Sequence, residues 1–118
     1  MGTIPKNFNV KITLFNDDYA FGNGVFRLLL LTLEYSSLNK ACKEMRMSYS
    51  KAYKIIQRAE KDLGYKLLIG KTGGTGGGGS ELTAEAMELV KFFNRLKANT
   101  EKFVKMQMEE EIKSKKSI

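Results

Sequence analysis

At 118 residues the chain can bury one compact core and is too short for two full domains with a catalytic pocket between them. It has no histidine, one cysteine and scattered acids, which removes His-dependent triads, the usual zinc, haem and iron-sulfur ligand sets and any intrachain disulfide. A formal net charge of +7 favours anionic partners, and the window from Lys40 to Lys71, with nine Lys or Arg against three acids, supplies nearly all of it.

The first residues, Met-Gly-Thr-Ile-Pro, lack the layout of a signal peptide, and the longest apolar run, Leu28 to Leu31, is far too short to span a bilayer. The chain therefore reads as cytoplasmic, with no membrane partner. Phe8, Val10, Ile12 and Leu14 alternate with Asn9, Lys11 and Thr13, the period of a half-buried strand, which the turn residues Asn16-Asp17-Asp18 end. From Asn23 to about Leu33 the sequence is apolar nearly all round, so a central core helix is expected there, capped by Asn23.

Ser36-Ser37 breaks that helix. Leu38, Ala41, Cys42 and Met45 then recur at helical spacing, with Ser37 or Asn39 as the cap. After a connection of three or four residues, Ser48 caps a helix that buries Ala52, Ile55 or Ile56, Ala59 and Leu63, and Gly64 stops it. Two helices around so tight a turn form a helix-turn-helix. Lys66 to Ile69 reads as a strand, with Ser80 to Leu82 as its partner. Thr83 then caps a long helix with a stripe at Leu89, Phe93, Leu96, Thr100 and Phe103. About 27 helical residues would reach roughly 40 Å, more than one small domain covers. The stripe beyond Leu96 is expected to meet a second copy of the chain, and the end to fray.

Between the two strands lies KTGGTGGGGSELT, Lys71 to Thr83, with six of the eleven glycines. A P-loop would need four residues between Gly64 and Gly70 where the chain has five, three of them apolar, and it would need a helix where the chain has more glycine. GGGGS also resembles a flexible spacer, but the segments on either side are too short to fold apart. A hairpin tip fits better, because glycine accepts positive φ and lets backbone approach a partner closely; a loop with no function is the plainer alternative.

The stretches SSLNKACKEMRMSYSKAYKIIQ and TGGTGGGGSELT together resemble the N-terminal DNA-binding domain of the molybdate-responsive ModE regulators. In that family an M/I-S-Y-x-x-A-aromatic recognition helix, here Met47 to Tyr53, pairs with a glycine-rich wing, here Thr72 to Gly79. The likeness covers Ser37 to Leu96 well. More distantly, Ser48 to Gly64 resembles the LysR-type helix-turn-helix. The resemblance implies a winged helix-turn-helix, mainly α with a small β-hairpin: residues 1–83 a DNA-binding domain, 84–113 a dimerisation helix, 114–118 a disordered tail. Thr75 stands where such wings usually carry a basic residue. No segment remains for a molybdate module, so no cofactor and no small-molecule effector is expected on this chain.

In this fold the second helix enters the major groove. Tyr49, Ser50, Tyr53 and Lys54 are the expected base contacts, with Tyr53 alternatively a packing residue. Lys40, Lys43, Ser48, Lys51, Arg58, Lys71 and Thr72 are the expected phosphate contacts. The wing comprises Gly73, Gly74, Thr75, Gly76, Gly77, Gly78 and Gly79, and Leu89, Phe93, Leu96 and Phe103 form the dimer interface. Arg46 touches phosphate or is simply exposed, and Cys42 is a small core residue. The reading is a transcriptional regulator that binds palindromic double-stranded DNA as a homodimer and is not an enzyme. An architectural DNA binder and a winged protein-interaction module are its rivals.

Overall fold

The computed structural model describes residues 3–71 and 79–116. In chain order the elements are α1 (Asn23–Tyr35), α2 (Leu38–Glu44), α3 (Tyr49–Leu63), β1 (Leu68–Lys71), β2 (Gly79–Leu82) and α4 (Ala84–Lys116). This is a mainly helical winged helix-turn-helix with one antiparallel hairpin and a long C-terminal helix.

The boundaries follow from local chemistry. The Ser37 hydroxyl accepts the Lys40 N–H and the Ser48 hydroxyl accepts the Lys51 N–H, so α2 and α3 each start on a serine cap. Gly64 ends α3 at φ 84°, a left-handed conformation that costs glycine nothing. Thr83 serves two elements: its Oγ1 accepts the Ala86 N–H to cap α4 and donates to the Lys66 carbonyl, tying the helix to the foot of the hairpin.

The helix α1 lies at the centre, in contact with α2, α3, β2 and α4. It buries Val25, Phe26, Leu28, Leu29 and Thr32, whose hydroxyl donates to the Leu28 carbonyl, while Leu30 and Leu33 face outward. Around it pack Ala41 and Cys42 from α2, Ala52, Ile56 and Ala59 from α3, Leu67 at the foot of the hairpin, and Ala86, Val90 and Phe93 from α4. Burial pushes the Cys42 thiol pKa up, as suits a core residue.

Three expectations need correction. Residues 8–14 form no regular strand: only Leu14 is bridged, to Phe21. The alternation did report a one-sided segment, since Ile12 and Leu14 pack on the core, but among the described residues no strand runs alongside to pair with it. Asn23 is the first residue of α1 and Gly22 holds the cap position, with no side-chain cap bond. Phe93 is fully buried within its own chain, edge-on to Phe21 at 5.3 Å and beside Phe26 at 4.8 Å between ring centroids, so it belongs to the domain core and not to an exposed interface stripe.

The long helix spans 33 residues, about 50 Å. It is helical through Lys116, past the expected boundary at 113, and Glu111 and Lys115 face each other one turn apart near its end. Its core contacts end at Phe93. Beyond Leu96 no described residue of α4 is buried, and Phe103 and Met106 are exposed. Among the described residues no helix is long and apolar enough to cross a membrane.

Candidate nucleic-acid interface

The helix-turn-helix is closed by two backbone devices. Arg46 adopts φ 54° in the turn, and its N–H donates to the Lys43 carbonyl, while the Met47 N–H donates to the Cys42 carbonyl. These bonds set α3 against α2 and leave one face of α3 to solvent. On that face Tyr49, Ser50, Lys51, Tyr53, Lys54, Gln57 and Arg58 are all exposed. The rings of Tyr49 and Tyr53 stack at 6.2 Å, one turn apart, and each keeps about half its surface accessible (49% and 48%). Tyr53 is thus a surface residue, packed on its neighbour and not into the core.

Two concave surfaces flank this face. One is lined by Ser48, Ser50, Lys51, Lys54, Ile55 and Arg58, all from α3 and its cap. The other brings Tyr49, Tyr53, Gln57 and Glu60 of α3 against Leu68, Ile69, Gly70 and Ser80 of the hairpin. The hairpin therefore stands beside the tyrosine flank of α3 and not behind it. Lys40 and Lys43 are exposed on α2. Of the remaining expected contacts, Lys71 is the last residue of β1, opposite Gly79. Thr72 and the wing residues Gly73, Gly74, Thr75, Gly76, Gly77 and Gly78 lie outside the described residues.

The hairpin is held by contacts that leave little freedom at its base. The Glu60 carboxylate accepts the N–H groups of Leu67 (2.7 Å) and Leu68 (3.3 Å) and pairs with Lys66 at 3.6 Å. On the other strand the Ser80 N–H donates to the Ser36 carbonyl, and a Cβ on Gly79 would stand 2.4 Å from that same oxygen. Glycine at 79 is therefore required by close approach of the hairpin to the α1–α2 turn.

Sequence reasoning missed the partners of α3 at its C-terminal end. The Asp62 carboxylate accepts the N–H groups of Asn16, Asp17 and Asp18, each at 2.8 Å, and the Asn16 amide donates to the Asp62 carbonyl. Those N–H groups, Asn16 and Asp17 foremost, hold the Asp62 carboxyl pKa below its ordinary value, and they compensate a negative charge at the unfavourable end of a helix. Asp18 in turn takes the Arg58 guanidinium through both oxygens. That hydrogen-bonded pair lowers the Asp18 pKa and raises that of Arg58. Arg58, one of the expected phosphate contacts, thus already has a carboxylate partner. The turn residues at 16–18 were visible in the sequence, but their partners lie 40 to 46 positions away.

Residues 25–87, more than half of the chain, match the family model described as bacterial regulatory helix-turn-helix protein, lysR family. Among solved structures, the DNA-binding domain of BenM in complex with benA site 1 DNA has the same fold, with a TM-score of 0.54 at 22% identity over 73% of this chain and 91% of that one. No curated protein matches the sequence at a significant level. The family match begins inside α1 and ends in the first turn of α4, so it takes in the whole helix-turn-helix and hairpin. The chain belongs to the lysR family of bacterial regulatory helix-turn-helix proteins.

Proposed function

We propose that the chain is a sequence-specific regulator of transcription that binds double-stranded DNA as a dimer. In this reading α3 enters the major groove, where Tyr49, Ser50, Tyr53 and Lys54 meet base edges, the tyrosines by hydroxyl or by packing on thymine methyls. Lys40, Lys43, Ser48, Lys51 and Arg58 meet phosphates, and the hairpin, with Lys71, Thr72 and its glycines, lies along the backbone as a wing. The observation that carries it is the exposed tyrosine and lysine face of α3, flanked on one side by Lys51 and Arg58 and on the other by the hairpin base. A dimer would select a palindromic operator, because twofold symmetry presents the same reading helix to each half-site.

A second copy would dock along α4. The exposed Phe92, Phe103 and Met106, with Leu89 and Leu96, give an apolar stripe that water does not favour, and Leu30 and Leu33 of α1 are further apolar groups at the surface. Twofold symmetry would then set two copies of α3 about 34 Å apart on one face of the duplex.

Selection of bound fragments from random duplex, repeated with Tyr53→Ala and Lys54→Ala, tests the reading. A preferred palindrome bound about 1000-fold or more above random duplex, with the preference lost in the variants, supports it. Binding without preference would make the protein an architectural DNA binder. No mobility shift at low salt would favour a protein-interaction module.

A further inference from the structure

The Asp18–Arg58 pair joins α3 to a segment that precedes the family match at residue 25. We propose that Asp18 is a positioning residue for DNA binding: it fixes the Arg58 guanidinium on the outer flank of α3 so that its free N–H groups are presented to a backbone phosphate. The inference rests on the DNA-binding reading above and adds to it a contact-orienting role for the N-terminal segment.

The geometry is side-on. Arg58 Nε donates to Asp18 Oδ2 at 2.7 Å and Nη2 donates to Oδ1 at 2.5 Å. A guanidinium has five N–H groups in a rigid plane, so this pairing uses two and leaves three, one on Nη2 and two on Nη1. The side chain remains 58% exposed and lines the same concave surface as Ser48, Lys51 and Lys54. Arg58 thus lies on the flank that carries the other phosphate candidates.

The acceptor is itself held. Three consecutive N–H groups, from Asn16 to Asp18, converge on the Asp62 carboxylate, and the Phe15 and Tyr19 rings close over the loop at 4.0 Å. The bridge between Leu14 and Phe21 pins its two ends, and Phe21 is fully buried. So exposed an ion pair adds little to fold stability. Its consequence is local: a long side chain that would otherwise lose rotamer freedom on meeting a phosphate has that freedom removed beforehand.

Removing Asp18 also deletes a negative charge beside the proposed DNA face, so bulk electrostatics and positioning predict opposite signs. The test is binding to a labelled duplex of random sequence over a series of salt concentrations, because phosphate contacts need no operator. Arg58→Ala should weaken binding and reduce the slope of log K against log salt by about 0.9. Asp18→Ala should weaken binding about 2- to 12-fold, the equivalent of ordering one long side chain, with Asp18→Asn between it and the wild type. In the Arg58→Ala background, Asp18→Ala should cause no further loss. Melting curves for each variant exclude unfolding as the cause, and Asp18→Asn keeps the shape of the loop.

Tighter or unchanged binding by Asp18→Ala would overturn the inference, showing that the carboxylate only competes with phosphate. So would an equal loss in the Arg58→Ala background, or no effect of Arg58→Ala itself. Failure of the wild-type chain to bind duplex at low salt would instead remove the DNA-binding reading, and this inference with it.

Discussion

The two ends of the molecule are built on different principles. The helix α3 starts on the Ser48 cap and stops at Gly64, its Asp62 and Glu60 carboxylates take backbone N–H groups of the N-terminal loop and the hairpin, and it leans on α2. In the distal half of α4 the contacts include bonds along the helix itself, such as Thr100 Oγ1 to the Leu96 carbonyl, and side-chain pairs such as Glu111 with Lys115. In proteins most helical stability comes from tertiary packing of one face. The helix-turn-helix half is packed within one chain, whereas the far half of α4 presents Phe103 and Met106 to solvent.

Phe93 and Phe103, two residues of one stripe, give the largest expected contrast. Phe93→Ala should cost about 3–5 kcal/mol in urea unfolding at any protein concentration, because it opens a hole between Phe21 and Phe26. Phe103→Ala should change the stability of the monomer by no more than about 0.5 kcal/mol while lowering the dimer fraction in sedimentation. Equal losses at high dilution would erase the distinction between the two halves.

Gly79→Ala comes next. The added Cβ must displace the Ser36 carbonyl at 2.4 Å, which is backbone and yields poorly. Overpacking of this kind costs about 1–3 kcal/mol. The expected signature is loss of protection at the Ser80 amide together with weaker duplex binding, and an unaltered Ser80 amide would refute the close approach.

Caps should matter less. Thr83→Ala, which removes both the Ala86 cap bond and the bond to the Lys66 carbonyl, should destabilise the fold by about 1 kcal/mol in urea titrations. Ser48→Ala should cost a similar amount through the start of α3. If Thr83→Ala left the hairpin and the chain's stability untouched, the link between α4 and the hairpin foot would be incidental.

The smallest effect concerns acid. Asp62 has its pKa lowered by the N–H groups it accepts, so its contribution is present above the unfolded value near pH 4 and is lost only as pH falls through the lower folded value. Amide signals of Asn16, Asp17 and Asp18 should therefore stay constant down to about pH 4 and titrate below it. A midpoint at or above that value would contradict the clamp.

Much of this organisation was legible beforehand where the signal was local. Ser48, Gly64 and Thr83 announce their helix ends because capping is a matter of adjacent residues, and the apolar spacing of α2 and α3 shows which faces they bury. The first segment misled because alternation reports a one-sided environment, and pairing needs a partner that the sequence does not display. The stripe on α4 misled at Phe93 because helical spacing is the same for a side chain that meets its own domain and for one left in solvent.

By itself the sequence determined the helix-turn-helix, the hairpin, the long helix and the basic character of the α3 face, since each depends on residues a few positions apart. Only the tertiary structure decided that Asp62 and Asp18 bind the N-terminal loop to α3, that Gly79 abuts Ser36, and that Phe93 lies in the core. Those outcomes join residues 40 to 72 positions apart, and such pairings are set by how the packed elements meet and not by any local preference of the chain.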